Sequence, residues 1–267
     1  MRWRVGTMGF SYPAWAGAFY PRSVRPGDYL ACYSRCFDCV ELDTTFYGLP
    51  EPGRVRRWAA AVPEDFRFAV KTPRDITHAD DVAGQHRLMR RWTDTLLEFG
   101  AKLGVVLLQF PPGFDAHRWR ELVGLLRTVP ASVPLCVEFR HPSWWQWPST
   151  PTLLAEHDAA WASADYVASP RELRVVGRRA YLRLIGEHDR YPDMNRELRD
   201  PTADLVWWQQ QVLAQAHALD EAWVLLNNDY AGFSIATAER FKTLVGLPVR
   251  RPTPDEPTLF GTPELFR

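Results

Sequence analysis

The 267-residue sequence has no excess of charge: 32 Lys and Arg offset 32 Asp and Glu, so the formal net charge is zero. That excludes a whole-molecule field drawing the protein to nucleic acid or an anionic membrane, and leaves only local basic patches for such contacts. Long apolar runs are also missing. None approaches the roughly 18 residues of a membrane span. The opening Met1-Arg2-Trp3-Arg4-Val5 lacks the apolar stretch of a signal peptide. The expectation is a soluble cytoplasmic protein with no membrane partner. Four cysteines in a chain this long do not make a disulfide scaffold. Neither an internal repeat nor a low-complexity linker divides the sequence. The seven histidines show no His-x-x-x-His spacing, and His86, His117, His157 and His217 fall on helical patterns where solvated faces explain them.

What the chain does have is aromatic weight, with 12 Trp and 14 Phe, and 22 Pro to fix its turns. Strand-like apolar runs occur at Trp3–Phe10, Cys39–Tyr47, Phe66–Thr72, Gly104–Phe110, Leu135–Arg140, Ala160–Ala164, Ala180–Ile185 and Ala222–Asn227. Between them, Arg54–Val62, Leu88/Trp92/Leu96/Phe99, Trp119–Leu126 and Leu205/Trp208/Val212/Leu219 follow helical spacing. Eight strands alternating with helices over about 250 residues is the rhythm of a single α/β (β/α)8 TIM barrel spanning residues 1–247. An open doubly wound sheet is the alternative. Pro248, Pro252, Pro254, Pro257 and Pro263 forbid a helix in residues 248–267, which read as a Pro-rich C-terminal tail.

A barrel predicts that polar residues collect at the C-terminal ends of its strands. In order, the strand ends supply Thr7 and Ser11, Glu41 and Asp43, Lys71, Gln109, Glu138 and Arg140, Asp165, Arg183, and Asn227 to Asp229. Two runs stand out: Val40-Glu41-Leu42-Asp43-Thr44-Thr45-Phe46-Tyr47 and Val137-Glu138-Phe139-Arg140-His141-Pro142-Ser143-Trp144. Side chains two apart on a strand share a face. Glu41, Asp43 and Thr45 would therefore point one way, and Glu138 would join Arg140. Buried charge costs several kcal/mol unless it is paired or used, so these strands predict a polar site.

Several motifs together resemble one family. They are Gly6-Thr7-Met8-Gly9-Phe10-Ser11-Tyr12, Phe19-Tyr20-Pro21, Val40-Glu41 with Thr45-Phe46-Tyr47, Phe68-Ala69-Val70-Lys71 and Ile76-Thr77-His78. Gln109-Phe110-Pro111-Pro112, Glu138-Phe139-Arg140-His141, Tyr181-Leu182-Arg183 and Asn227-Asn228 complete the set. The chain so resembles the YecE-like family, domain of unknown function 72, from Gly6 to about Leu247. The resemblance implies a TIM barrel and no established activity. Two departures stand out. Phe10 replaces the usual Trp of the first loop, and Arg183-Leu184-Ile185-Gly186 lacks the histidine usual before that glycine. His188 could replace it only if the loop turns back.

Other chemistries were open at this level. Cys32, Cys36 and Cys39 have the spacing of a radical-SAM [4Fe–4S] motif. Against it, they follow a helix into the second strand rather than the loop after the first, Asp38 stands where that motif favours an aromatic, and Tyr29, Tyr33 and Phe37 surround them as core. A divalent metal ion could take Glu41, Glu138, Asp165 and His141. Glu41 and Glu138 could also form a glycosidase pair. The cofactor is not named by the sequence.

An anionic small molecule fits best. Lys71, Arg140 and Arg183 come from different strands to one mouth, and arginine forks suit phosphate or carboxylate. Gly186 and Asn228-Asp229-Tyr230-Ala231-Gly232, ahead of a helix from Ser234, could add a phosphate cradle. Tyr12, Trp15, Tyr20, Tyr47 and Trp144 could line the rim or seal the barrel top. The expectation is an enzyme acting by hydrolysis or phosphoryl chemistry on an anionic or nucleotide-like substrate. Glu41 or Glu138 would be general acid/base, Lys71, Arg140 and Arg183 would hold negative charge, and Asp43, Gln109, Asp165 and Asn228 would orient ligand or water, with Tyr47, His141 and Asn227 beside them. The alternative is a module binding a nucleotide or nucleic acid and recruited through its tail. There Glu256-Pro257-Thr258-Leu259-Phe260 loosely resembles peptides that dock on bacterial sliding clamps.

Overall fold

The computed structural model describes residues 1–79 and 82–253. Eight parallel strands follow in order: β1 (Arg2–Thr7), β2 (Cys39–Leu42), β3 (Arg67–Lys71), β4 (Leu103–Gln109), β5 (Leu135–Glu138), β6 (Ala159–Tyr166), β7 (Arg179–Gly186) and β8 (Glu221–Leu226). The helices between them are α1 (Tyr29–Tyr33), α2 (Pro52–Ala60), α3 (Arg74–Thr77), α4 (Val82–Leu96), α5 (Trp119–Leu126), α6 (Ser143–Gln146), α7 (Thr150–Ala155), α8 (Thr202–Ala214), α9 (Asn228–Ala231) and α10 (Ser234–Leu244). The strands pair in sequence from β2 to β8, and β8 returns to β1. This is the (β/α)8 TIM barrel expected from the strand rhythm.

Strands of such a barrel are buried on both faces, which is why they read as apolar runs. Val5, Val40, Val70, Leu108, Val137, Leu182 and Val224 pack outward against the helices. The inward set is separate: Met8, Cys39, Ala69, Leu107, Cys136, Ala162, Tyr181, Trp223 and Leu225 among others. Large and small residues are matched across the interior. Trp223 fits because Gly104 has no side chain, where a Cβ would lie 2.5 Å from its ring.

The seam lies between β1 and β2. There the ladder is reduced to one bridge, Met8 with Glu41, and one hydrogen bond from the Gly9 N–H to the Glu41 carbonyl at 2.8 Å. The phenol of Tyr33, the last residue of α1, fills the gap. It accepts from the Thr7 N–H at 2.9 Å and donates to the Cys39 carbonyl at 3.1 Å. A Cβ on Gly6 would come within 2.2 Å of that carbonyl, so glycine is required where the strands close.

The second strand is shorter than its composition suggests. β2 ends at Leu42, and Thr44–Tyr47 wind into a single 3-10 turn. The Thr45 hydroxyl, predicted to share a face with Glu41, lies on the Leu42 and Lys71 carbonyls at 2.9 and 2.6 Å. Thr45 thus ties the ends of β2 and β3 together. No helix among the described residues is long and apolar enough to cross a membrane. After α10 the described chain carries neither helix nor strand. Pro254, Pro257, Pro263 and the Glu256–Phe260 peptide lie outside the described residues.

Because the Tyr33 hydroxyl serves both sides of the seam, Tyr33→Phe strands a buried N–H and a buried carbonyl. It should cost about 1–3 kcal/mol in urea unfolding. An unchanged midpoint would show that the seam does not need it.

Candidate active site

The mouth of the barrel is organised by one guanidinium. Arg183 sits on the inner face of β7, two residues beyond the inward Tyr181. Its Nε and Nη2 donate to the Glu41 carboxylate at 3.0 and 2.7 Å, and Nη1 donates to Glu138 at 2.7 Å. The sulfur of Met8 lies 3.6 Å from Nη2. Tyr181 adds its hydroxyl to Glu41 at 2.8 Å. Both carboxylates are sealed from solvent, Glu41 at 0% and Glu138 at 1% exposure. On the far side, the Arg140 Nε stands 2.5 Å from Glu138. The chain of charges Glu41–Arg183–Glu138–Arg140 therefore runs across three strands and is neutral as a unit.

Burial alone would raise the Glu138 pKa, but Arg140, Arg183 and Lys71 outweigh it and hold the carboxyl at about 2. Burial works against the Arg183 cation, yet Glu41 and Glu138 keep it firmly protonated. A buried pair of this kind contributes little net stability, whereas removing one partner typically costs 3–5 kcal/mol.

Lys71 ends β3 on the same inner face as Ala69. Its ammonium stands 3.9 Å over the Phe46 ring and, among the described residues, makes no ion pair or hydrogen bond. Burial lowers its pKa to about 8, helped by the nearby Arg183 charge. Burial also raises the Asp43 carboxyl, and the Glu41 charge adds to this. The His78 ring lies edge-on to Phe46 at 5.2 Å, and burial with Lys71 nearby depresses its pKa. The outer Nη1 of Arg140 is buried without a hydrogen-bond partner, and its guanidinium lies 4.0 Å over the Tyr166 ring.

Not every predicted residue reaches this cluster. Asp165 alternates with the inward Ala164 and faces the helices instead, accepting from Trp208 Nε1 at 2.7 Å and the Tyr230 hydroxyl at 2.8 Å. Asn228 is buried beneath the loop after β8. Its side-chain oxygen accepts from the Ser234 N–H, the Ser234 hydroxyl and Trp15 Nε1. That oxygen occupies the start of α10, so the proposed phosphate cradle is filled by the protein itself. Asn227 does face the interior, 3.8 Å from the Met8 sulfur, while its oxygen takes the Asp229 N–H. Gln109 donates to the neighbouring Phe110 carbonyl. His141 is held through Nδ1 to Ser143. Tyr47 stands at the rim, 82% exposed. Trp15, Tyr20 and Trp144, considered for the rim, are wholly in the core. His188 does turn back, to 3.5 Å from Asp229, but stays on the exposed rim, and buried Ile185 fills the inward position.

The cysteine triplet splits. Cys32 and Cys36 join the outer core, and Cys39 points into the barrel. Among the described residues, no three His, Cys, Asp or Glu side chains gather where they could hold a metal ion.

Phe46 and His78 pack beside Lys71 although neither is a site residue expected from the sequence, which runs Phe46 into the second strand and puts His78 on none. Their signal was adjacency to turns at the ends of β2 and β3. A second signal was compositional: only three of the 32 basic residues are lysine, at positions 71, 102 and 242. Lys102 and Lys242 bind backbone carbonyls, those of Ala59 and Val62 and that of Cys36. Lys71 alone has no acceptor among the described residues.

A barrel of this architecture with an ionised cluster at its C-terminal mouth defines a class in which active sites sit at that end. The sequence places it further: the model of a family described as a protein of unknown function, DUF72, matches residues 4–259, and the chain belongs to that family. UPF0759 protein YecE of Escherichia coli is 34% identical over 49% of the chain and 47% of that protein. UPF0759 protein YunF of Bacillus subtilis is 30% identical over 49% of each. The aligned part of the chain spans about half the length of these relatives. A DUF72 family protein from Thermotoga maritima superimposes with a TM-score of 0.76 at 28% identity, covering 92% of this chain and all of that one. A D-allulose 3-epimerase from Methylomonas sp. shares the fold alone, with a TM-score of 0.55 at 14% identity over 92% of this chain and 97% of that one.

A carboxyl held below its ordinary 4.5 contributes stability that is present above about pH 4.5 and lost as the pH falls toward 2. Across that window the contribution of Glu138 is on the order of 3 kcal/mol. Glu138→Gln should therefore be several kcal/mol less stable than wild type at pH 7, with the gap narrowing by pH 3. Urea unfolding of both proteins across that range measures it, and a gap independent of pH would contradict the assigned ionisation.

Proposed function

We propose that the chain is an enzyme that takes a small, negatively charged substrate at the C-terminal mouth of its barrel, with the amine of Lys71 as its reactive group. The observation that carries this reading is that Lys71, alone among three lysines, points inward over the Phe46 ring with no hydrogen-bond acceptor among the described residues, and that burial lowers its pKa to about 8. Acid–base work needs a group that changes protonation near the working pH. Glu138, at about 2, stays ionised and does not meet that need, so a hydrolase built on Glu138 as acid/base is the weaker form of the proposal. Lys71, at about 8, meets it.

The roles of the other cations divide accordingly. Arg183 gives its inner and outer nitrogens to Glu41, Glu138 and Met8, so it positions carboxylates rather than substrate. Arg140 keeps Nη1 unpartnered and carries the fork for a phosphate or carboxylate group. Asp43, whose carboxyl is pushed up by burial and by the Glu41 charge, is assigned the exchange of protons with the substrate.

A thermal-shift screen of sugar phosphates, nucleotides and sugar acids tests the binding half. A ligand at a hundred times its Kd adds about 2.7 kcal/mol, or roughly 5–10 °C for a chain of this size. The shift should vanish in Arg140→Gln and persist in Arg178→Gln, whose side chain pairs with Asp220 at the opposite end of the barrel. Equal loss in both variants, or no shift with any anion, would overturn the proposal.

A further inference from the structure

The reading of the mouth as an active site leaves open what the amine does. Three features of Lys71 bear on it. First, its nitrogen is not engaged: no carboxylate or carbonyl among the described residues takes its hydrogens. Second, burial, with the Arg183 charge nearby, disfavours the ammonium and outweighs Glu138 and Glu41, which favour it, while the Phe46 ring lies flat beneath the nitrogen at 3.9 Å. A lysine desolvated beside another cation is one of the ways proteins make an amine nucleophilic. Third, charge of both signs is at hand to move protons. Asp43 has a carboxyl whose pKa burial has raised, and Arg140 offers an unpartnered Nη1 for an anionic group.

We propose that Lys71 captures the substrate's carbonyl carbon as an imine, and that the substrate class is an aldehyde or ketone bearing a phosphate or carboxylate. The amine first loses a proton to a neighbouring carboxylate or to water. Its lone pair then forms the C–N bond as the carbonyl π pair moves to oxygen, and a proton passes from that nitrogen to the oxygen, giving a neutral carbinolamine whose nitrogen again has its lone pair. Protonation of that hydroxyl, by Asp43, breaks the C–O bond and releases water. The nitrogen lone pair closes the C=N bond. In sum, an ammonium and a carbonyl give a protonated imine and one water, with no oxidant or metal required. The positive nitrogen can then draw electrons from the adjacent carbon, which is what makes such a substrate reactive. Arg140, on β5's extension, holds the acidic group, while Arg183 keeps Glu41 and Glu138 in place beneath.

This rests on the proposed function above, and the test separates the two. The full chain is incubated at neutral pH with glyoxylate, or with dihydroxyacetone phosphate, in the presence of cyanoborohydride, which reduces an imine to a stable secondary amine. The intact mass should rise by one adduct per chain, and peptide mapping should place it on Lys71. Because the chain has only Lys71, Lys102, Lys242 and its amino terminus as amines, the map is unambiguous. The preferred probe of the two tells whether carboxylate or phosphate is the anionic group. Lys71→Arg should lower trapping at least ten-fold. Arg140→Gln should lower it for the anionic probes and leave uncharged glycolaldehyde unaffected. Label spread evenly over the four amines, or trapping that survives Lys71→Arg, overturns the imine. If trapping fails while an anion still stabilises the protein through Arg140, the imine is excluded and the active-site reading survives. Loss of both excludes both.

Discussion

Arg183 is the constraint on which the mouth depends. Two carboxylates placed inside a barrel would repel each other and each would take up a proton. One guanidinium between them satisfies both, because its planar fork offers Nε and Nη2 to Glu41 and Nη1 to Glu138. The three residues come from β7, β2 and β5, so the ion chain spans the barrel interior. Its energetic value lies less in net stability than in uniqueness of arrangement. Any other placement of these strands would leave a charge without a partner, at a cost of several kcal/mol.

The consequence for chemistry follows from what that arrangement consumes. Arg183 and the two glutamates are used up in holding one another, and the depressed pKa of Glu138 is the mark of that use. On the proposed reading, what remains for a substrate lies one layer nearer solvent: Lys71, Arg140, Asp43 and the aromatic faces of Phe46 and Tyr166. The buried layer supplies the field, and the outer layer supplies the groups that can change state. Tyr33 has a comparable part lower in the barrel. By bridging β1 to β2 where their ladder fails, it holds Glu41 in register with the rest of the mouth.

The fold was legible because the barrel demands apolar strands at regular intervals, and all eight were found within a few residues. Ser234 was even located as the first residue of its helix. Glu41, Glu138, Arg140 and Arg183 were legible for the same reason, as charges breaking an apolar pattern on an inward face. Asp165 was misjudged because period-two alternation gives relative faces, not absolute ones. One residue either way decides between mouth and helix layer. Asn228 was misjudged because a polar side chain capping its own helix looks, in sequence, like one waiting for a ligand. Phe46 was missed because the run to Tyr47 reads as one strand, which puts Phe46 on the face opposite Glu41, whereas the chain turns after Leu42; His78 lies past a short helix, where no strand periodicity applies.

The scarcity of lysine sharpens the reading of the one that matters. This chain uses arginine almost everywhere it needs a cation, so each lysine invites the question of what arginine could not do. At Lys102 a compact ammonium reaches two carbonyls near the end of α2. At Lys242 it reaches the Cys36 carbonyl. Neither explanation applies at Lys71, which has no acceptor to reach among the described residues. The remaining difference is that a guanidinium stays protonated in any protein environment, whereas an ammonium can be stripped of its proton by burial and by neighbouring cations. Lys71 has both of those influences around it and a pKa of about 8 to show for them. On the proposed reading, that difference is what lysine offers over arginine at this position: an amine partly neutral near physiological pH at the open end of the barrel.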